Sequence, residues 1–564
     1  MALNISIEGT GIVANCDATA GTDSAGGTWS ENGGTSLVYD PATFIYGVRS
    51  MGIKAASKSG WTYINKTTAL DFSSGGNQEG EFLYIWINAS APAAFDDIVN
   101  NGIAIRVGSS TTVYREWTIG GGGVDEMNGW TGAWKCFVLD PTTAGSNDNG
   151  TYDDSNVDYI GVWVDTDVSV RAETIFIDQI ACGNGLRITG TWDDSTYPGG
   201  AWDEVLAYCT TYASRAWGMV QEREGIFYVY GKIYIGDTGQ STVTSFEDSG
   251  KVIQFGTSQY YNASSAWVST MPTDAAGIII EDHASYTTDF IDGVIVGTAN
   301  GRSGSTYIGN DDQDIIFDLY GGNNAASETL CYGTVFKDIR GTFNSGNDAG
   351  HKFLSCSFLK CGQFDPVGAP VIRNCTFAET TDIDASLLWN SNIDIQRCAF
   401  IANTLGAAIE HPAQGTFGYT DLLFSSNTYD ILYSAAASSG VLTINATDSD
   451  PSSSEITNST GNSVSIVNAV NINIYVKDAI NNPIEGASVA VYKASDDTEL
   501  MNELSAVTTG LATESYNYTG STDVYIRVRK STDGTRYTPV ITTGTIGSTG
   551  LTLTVVLNVD NIAT

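Results

Sequence analysis

Paired carboxylates are the residues whose types and spacing come nearest to catalytic chemistry in this chain. Hydrolysis of a glycosidic bond needs two carboxyl groups about 5 to 9.5 Å apart, one protonated and one ionised. Acids on neighbouring β-strands, about 4.8 Å apart, can meet that requirement. The candidates are Asp311, Asp312 and Asp314, the outward Asp338, and Asp382, Asp384 and Asp394, with Asp338 and Asp384 as the catalytic pair. Acids are common throughout, so solvated loop positions or Ca²⁺ ligands outweigh catalysis as the reading of this set. Asp165, Asp167 and Asp178 offer hard oxygen ligands near the end of the first strand-rich region, and Ca²⁺ is the one cofactor they suggest. His283, His351 and His411 stand beside no Ser or Cys in a nucleophile pattern, and neither HExxH nor GxSxG occurs, so acyl transfer has no support.

Aromatic rings offer a second kind of chemistry. Trp29, Trp61, Trp86, Trp117, Trp130, Trp134 and Trp163 are concentrated in the first third of the chain, and exposed indoles stack on sugar rings. Most are expected to fill a core. Trp117 and Trp130 flank the loop from Gly120 to Asp125 and are the two expected to be exposed for glycan binding. The glycine run in that loop lacks the GK[ST] ending of a phosphate loop.

The elements that must position these residues are strands. A triplet recurs at Ile315–Phe317, Thr334–Phe336, Cys356–Phe358, Cys375–Phe377 and Cys398–Phe400, with a looser copy at Asn427–Tyr429; the intervals are 19, 22, 19, 23 and 29 residues. Such intervals suit the coils of a right-handed parallel β-helix. Each triplet would turn two side chains inward and one outward, stacking a Phe ladder beside a Cys ladder. Upstream, Thr43–Val48, Gly80–Ile87, Gly102–Val107, Trp134–Leu139, Tyr159–Val164 and Thr174–Ile180 read as strands of a sandwich. Trp202–Tyr212 has apolar residues at helical spacing and could cap the coil interior.

The fold class is therefore all-β: an N-terminal jelly-roll β-sandwich over 1–190, a connector with the first coils over 191–285, a parallel β-helix over 286–445, a linker over 446–464 and a Greek-key sandwich over 465–564. Composition agrees, with 62 Gly and only 16% charged residues in 564. Basic residues number 26 against 64 acidic, and the net charge of −38 repels a phosphate backbone, so no direct nucleic-acid partner is expected. No run approaches 18 apolar residues, so no membrane span is expected. Met1–Ile5 shows no Sec signal pattern. Nine cysteines without CxxC pairs argue for packing rather than a disulfide framework or zinc.

Three stretches resemble known families. Phe176–Ile180 with Gly183–Gly190 resembles the end of carbohydrate-binding-module-like jelly rolls at the front of phage tail and fibre proteins, and Trp217–Phe255 looks like phage fibre sequence entering a β-solenoid. Val476 through Val491 fills the pattern V-x-D-x-x-x-x-P-[IL]-x-G-A-x-V-x-[VL] and resembles the opening hairpin of carboxypeptidase-regulatory-like or transthyretin-like domains. These resemblances imply a bacteriophage virion protein, a fibre or spike on tail or head that attaches to host-surface polysaccharide. Its expected partners are two further copies in a homotrimer and other virion proteins, and its place is the particle exterior after assembly in the host cytoplasm. A polysaccharide depolymerase tailspike and an architectural capsid decoration protein are the alternatives.

Overall fold

The computed structural model describes all residues except 1, 18, 34, 46, 56–58, 90–102, 121–133, 166–173, 212–218, 240–241, 256–258, 262–266, 269–275, 282, 294–302, 310–314, 320–327, 341–342, 345–350, 367–368, 390–392, 438, 519, 532–534 and 561–564. Among the described residues there is one α-helix, Ala201–Thr211, and the rest of the regular structure is strand. The chain divides into two compact units, Met1–Pro370 and Val371–Thr564.

The first unit begins with a sandwich. One sheet runs in the order Thr35–Asp40, Ser50–Ala55, Thr174–Gly183, Phe82–Ala89, Lys135–Leu139, and continues through Gln259–Tyr261 to Trp267–Val268. The other runs Thr28–Asn32, Ser59–Leu70, Val157–Asp165, Ile103–Ser110, Val113–Gly120, all antiparallel. Alternation along each strand sends one set of side chains inward. Ile64, Ile105, Val107, Ile160 and Val162 of the second sheet meet Leu83, Ile85, Ile87, Phe137 and Ile177 of the first in one core.

Coils follow in three ladders. Gly185–Thr189, Lys232–Ile235, Ala276–Ile280, Ile315–Asp318, Phe343–Asn344 and Phe364–Asp365 form one, with Asn4–Ile7 antiparallel on its edge. Ile226–Val229, Val252–Phe255, Thr306–Ile308, Val335–Lys337 and Ser357–Leu359 form the second. Thr244–Asp248, Thr288–Asp292, Glu328–Tyr332 and Lys352–Leu354 form the third. In-register parallel stacking puts like on like: Tyr307 lies 5.8 Å from Phe336, and Phe336 lies 5.2 Å from Phe358, centroid to centroid. The helix sits on the first coil, with the buried Trp202 ring 5.4 Å from Phe246 and its indole N–H donating to the Tyr307 hydroxyl at 3.4 Å.

The register corrects the repeat at both ends. Ile315–Phe317 belongs to the first ladder, not to the one that carries Phe336 and Phe358, and the true predecessor of Thr334–Phe336 is Ser305–Tyr307. At the other end Phe424, not Tyr429, pairs with Phe400. Spacing alone misassigned both because the three strands of a coil are all short and apolar.

In the second unit, Thr376–Ala378, Ala399–Ile401 and Leu423–Ser425 stack in parallel, as do Ala385–Leu388, Ala407–His411, Tyr429–Tyr433 and Ser454–Ile456. The stretch read as a linker, 446–464, thus carries a paired strand. Its polar side chains are coil fasteners: the Asp430 carboxylate accepts from the Ser452 and Ser453 N–H groups, and Asn462 Nδ2 donates to the carbonyls of Ala435 and Ala437. Ser463–Asp478 is one 16-residue strand, parallel to Val441–Thr447 in its first half. Its second half pairs with Leu511–Asn517 and Leu551–Leu557. That half packs with a second sheet, Glu499–Leu504, Ser488–Lys493, Thr522–Arg529, Val540–Ile546, around Val476, Val489, Ile526 and Leu557.

Candidate functional site

The residues singled out from sequence do not converge. Trp117 is fully buried, not exposed: it sits opposite Ile105 in register, and the alternation that sends Ile105 into the sandwich core sends Trp117 there too. Trp130 lies outside the described residues. Of the expected calcium ligands, Asp167 and the side chain of Asp165 are outside them as well. Asp178 is buried on Thr174–Gly183, its Oδ2 accepting the Ile45 N–H at 2.7 Å. Among the described residues no group of three or more His, Cys, Asp or Glu is placed to hold a metal ion.

Asp338 is buried rather than outward, because its left-handed backbone (φ 55°) tucks it into the turn after Val335–Lys337. Asp384 is exposed, in an Asx turn where its N–H donates to Asp382 Oδ1 at 2.8 Å. Asp338 directly follows Val335–Lys337 in the first unit, whereas Asp384 directly precedes Ala385–Leu388 in the second, so the two stand at opposite ends of their strands. Asp394 pairs with Arg373. Asp311, Asp312 and Asp314 are outside the described residues.

What the fold does assemble is an aromatic face on the outside of the five-stranded sheet. On Ser59–Leu70 the inward residue is Ile64 and the outward ones are Trp61, Tyr63 and Asn65; on Val157–Asp165, Ile160, Val162 and Val164 point in, and Tyr159, Gly161 and Trp163 point out. Trp61 lies directly across from Trp163 in register, and Tyr63 across from Gly161. A Cβ at Gly161 would stand 2.0 Å from the Thr62 carbonyl oxygen, so only glycine permits this approach of the strands. Trp61 packs 4.8 Å from Tyr63 and 5.5 Å from Tyr114, and Tyr63 lies 5.0 Å from Tyr159.

One cation is set into these rings. The Arg106 guanidinium is 4.3 Å from the Tyr114 centroid and 4.5 Å from that of Trp163, within the range of cation–π attraction. It is paired at 2.5 Å with Glu116, whose side chain is fully buried and which also accepts from Asn147 Nδ2 at 3.2 Å. Burial, and then the neighbouring Tyr159 and Glu31, hold the Tyr63 hydroxyl in its protonated form. Asn65 Nδ2 donates to the Tyr159 hydroxyl at 3.2 Å. The buried Trp61 indole N–H has no acceptor among the described residues. Trp61 is 1% exposed, Tyr63 8% and Tyr114 9%, whereas Tyr159 and Trp163 are half-buried and keep surface free for a ligand. The face can stack on a ring and donate hydrogen bonds. It holds no nucleophile.

Sequence reasoning missed this face. Its signal was the i, i+2 pair Trp61 and Tyr63 and the i, i+4 pair Tyr159 and Trp163, each on one side of a strand whose other side is aliphatic.

No protein-family model matches the chain, and no curated protein matches it. Among solved structures, the CBM22-1 xylan-binding domain of Xyn10C from Paenibacillus barcinonensis is 8% identical, over 32% of this chain and 96% of that one, with a TM-score of 0.17. The family 30 carbohydrate-binding module of a cellulosomal cellulase of Clostridium thermocellum is 14% identical, over 32% and 97%, at 0.18. The catalytic domain of a GH87 α-1,3-glucanase is 9% identical, over 89% and 79%, also at 0.18. TM-scores at this level establish neither a shared fold nor a shared function, and the all-β architecture stands on its own strand pairings.

Proposed function

We propose that this chain is a bacteriophage virion protein, a fibre or spike on tail or head that engages host-surface polysaccharide through the outer aromatic face of its N-terminal sandwich. The observation that carries the glycan reading is the outer aromatic face itself, on which the half-buried rings of Tyr159 and Trp163, the latter braced by Arg106, leave surface for a sugar ring to stack on. The virion assignment comes from the sequence resemblances and the coil architecture. In this reading the protein is a homotrimer, coil edges being covered by neighbouring copies. It is displayed on the particle exterior, and Ca²⁺ near Asp165, Asp167 and Asp178 is its one cofactor.

The test is retention of the protein on immobilised host-surface polysaccharide, wild type against Trp163→Ala and Tyr159→Ala. At least ten-fold weaker retention by both variants is expected. Failure of the wild type to bind any host glycan would end the glycan reading.

A polysaccharide depolymerase is the second reading, and one observation favours it. Asp289 and Glu328 are in-register partners on Thr288–Asp292 and Glu328–Tyr332, one strand apart. Burial first, then Glu328 and Glu247, raise Asp289 to about 6, so it keeps a proton at mildly acidic pH where an ordinary carboxyl has lost it and can serve as a general acid. Release of reducing sugar by the wild type and its loss in Asp289→Asn is the expected outcome; no release from any host glycan removes this reading.

A further inference from the structure

The second unit contains a cavity of about 550 Å³ where the last coils meet the C-terminal sandwich. Its wall takes Phe424 from Leu423–Ser425, Asp450 from the turn after Val441–Thr447, Ile466 and Asn468 from the long strand Ser463–Asp478, and Tyr518 from just beyond Leu511–Asn517. The volume falls within the roughly 300 to 1,000 Å³ of small-molecule sites. Two features give it chemistry. Asn468 Oδ1 is shielded from solvent and accepts no hydrogen bond among the described residues, an arrangement that is costly unless a donor arrives. Asp450 spends Oδ1 on the Phe424 N–H at 3.0 Å. No hydrogen bond holds its other oxygen among the described residues, and the side chain lines the cavity.

Among the described residues the lining contains no Lys, Arg or His. An anionic ligand would meet an uncompensated carboxylate, whereas a ligand rich in hydroxyl donors and carrying an apolar face would meet acceptors on Asp450 and Asn468 and apolar surface on Phe424, Ile466 and Tyr518. We infer that this cavity is a binding site for a neutral saccharide of one or two units, separate from the face on the N-terminal sandwich.

The experiment is calorimetric titration of the full chain with glucose, galactose, mannose, N-acetylglucosamine, maltose and cellobiose, repeated on Asp450→Asn, Asn468→Ala and Tyr518→Phe, and on Trp163→Ala of the other face. Each protein is first checked for an unchanged melting temperature, and the isosteric Asp450→Asn guards against loss of fold in Asn468→Ala. Binding of at least one sugar that weakens ten-fold or more in Asp450→Asn and Asn468→Ala, but persists in Trp163→Ala, is expected. The inference is overturned if no sugar binds at millimolar concentration, or if binding survives in Asp450→Asn and Asn468→Ala. Loss in Trp163→Ala alone would support the sandwich face and reject the cavity.

Discussion

Asp248 and Asp292 are in-register partners on adjacent parallel strands, both fully buried, and Ser305 ties them together. Its hydroxyl donates to Asp248 Oδ2 at 2.6 Å and its N–H to Asp292 Oδ1 and Oδ2 at 2.9 and 3.0 Å. Two carboxylates this close in an apolar interior cannot both ionise cheaply. Burial is the main cause that lifts Asp248 from 3.8 to about 7, and burial followed by the charge of Asp248 lifts Asp292 well above its ordinary value. Both folded values lie above the unfolded ones, so their stabilising contribution is complete below about pH 3.8 and is lost with rising pH, that of Asp248 as pH passes through about 7. For Asp248 alone the difference is on the order of 4 kcal/mol. The melting temperature is expected to fall between pH 5 and pH 8.5, and Asp292→Asn to flatten that fall and to melt higher than wild type at pH 8.5. A wild-type melting temperature that rises over the interval would contradict the shared-proton account.

Left-handed residues mark the turns between coils. In the first unit Asp338 and Lys360 follow Val335–Lys337 and Ser357–Leu359, and in the second Glu379, Ala402 and Ser426 follow Thr376–Ala378, Ala399–Ile401 and Leu423–Ser425, at φ 52° to 58°. In the first unit Ser355 follows Lys352–Leu354, and in the second Asn374, Arg397, Asp421 and Asp448 follow Val371–Arg373, Asp394–Gln396, Gly415–Thr420 and Val441–Thr447, at φ 49° to 57°. The N–H of such a residue reaches the next coil, as when Ala402 donates to the Ser425 carbonyl at 2.8 Å. A Cβ in this conformation costs about 1–2 kcal/mol, and glycine removes that cost while adding up to about 1 kcal/mol of chain entropy to the unfolded state. Ala402→Gly is therefore expected to stabilise by about 0.5–1 kcal/mol in urea unfolding, and Ala402→Val to destabilise. The opposite order would mean that the turn is not left-handed in solution.

Arg106 and Glu116 form an ion pair with side chains 11% and 0% exposed. Removing one partner strands the other charge among the rings, and Glu116→Ala should cost about 3–5 kcal/mol. Replacing both, as Arg106→Met with Glu116→Leu, keeps the volume and leaves no charge behind. The double variant is expected to be more stable than Glu116→Ala, and to lose affinity for polysaccharide because the brace on Trp163 is gone. Denaturation midpoints and retention on the polysaccharide resin separate the two effects.

Much of the architecture was legible because β-structure writes its period into sequence. Cys356-Ser357-Phe358 and Cys398-Ala399-Phe400 gave the coil interior directly, two buried positions around one partly exposed. The helix was visible in Val205 and Cys209, and it runs Ala201–Thr211. What was not legible depends on which strands become neighbours. Trp117 and Trp61 are indistinguishable as residue types, and only strand pairing sends one into the core and the other to the outer face. The buried acid pair had a signal that went unread: Thr244-Ser245-Phe246-Glu247-Asp248 and Thr288-Asp289-Phe290-Ile291-Asp292 repeat the pattern T-x-F-x-D. Asp338 misled because an acid after a strand is ordinarily solvated, and its burial follows from the turn conformation.

Phe377, Phe400 and Phe424 stack at 5.1 and 5.3 Å with their planes within 9° and 11° of parallel. Phe400 is the middle ring, fully buried. Its truncation removes contacts to coils on both sides and leaves a cavity that the short strands around it cannot close, so Phe400→Ala should cost about 3–5 kcal/mol. Phe400→Leu, which refills most of the volume, should cost less than half as much. Equal losses would show that ring stacking, rather than filled volume, holds the column.

All nine cysteines are buried and free. Burial pushes the thiols of Cys16, Cys182 and Cys331 well above their ordinary range and those of Cys209 and Cys361 up to about 12, so at pH 8 almost none of these is the reactive thiolate. Cys398 is the exception. A hydrogen bond from the Cys375 thiol is the chief cause that draws it below 9.0, and the Cys375 N–H also points to Cys398 Sγ at 3.4 Å. With a disulfide reagent at pH 8, the native protein is expected to show no fast labelling and a slow phase of one thiol that disappears in Cys398→Ser, whereas all nine react after unfolding in guanidinium. Fast labelling of several thiols in the native state would mean that the coil interior opens far more readily than its packing implies, since the reagent cannot reach Cys331 or Cys361 without parting the ladders that cover them.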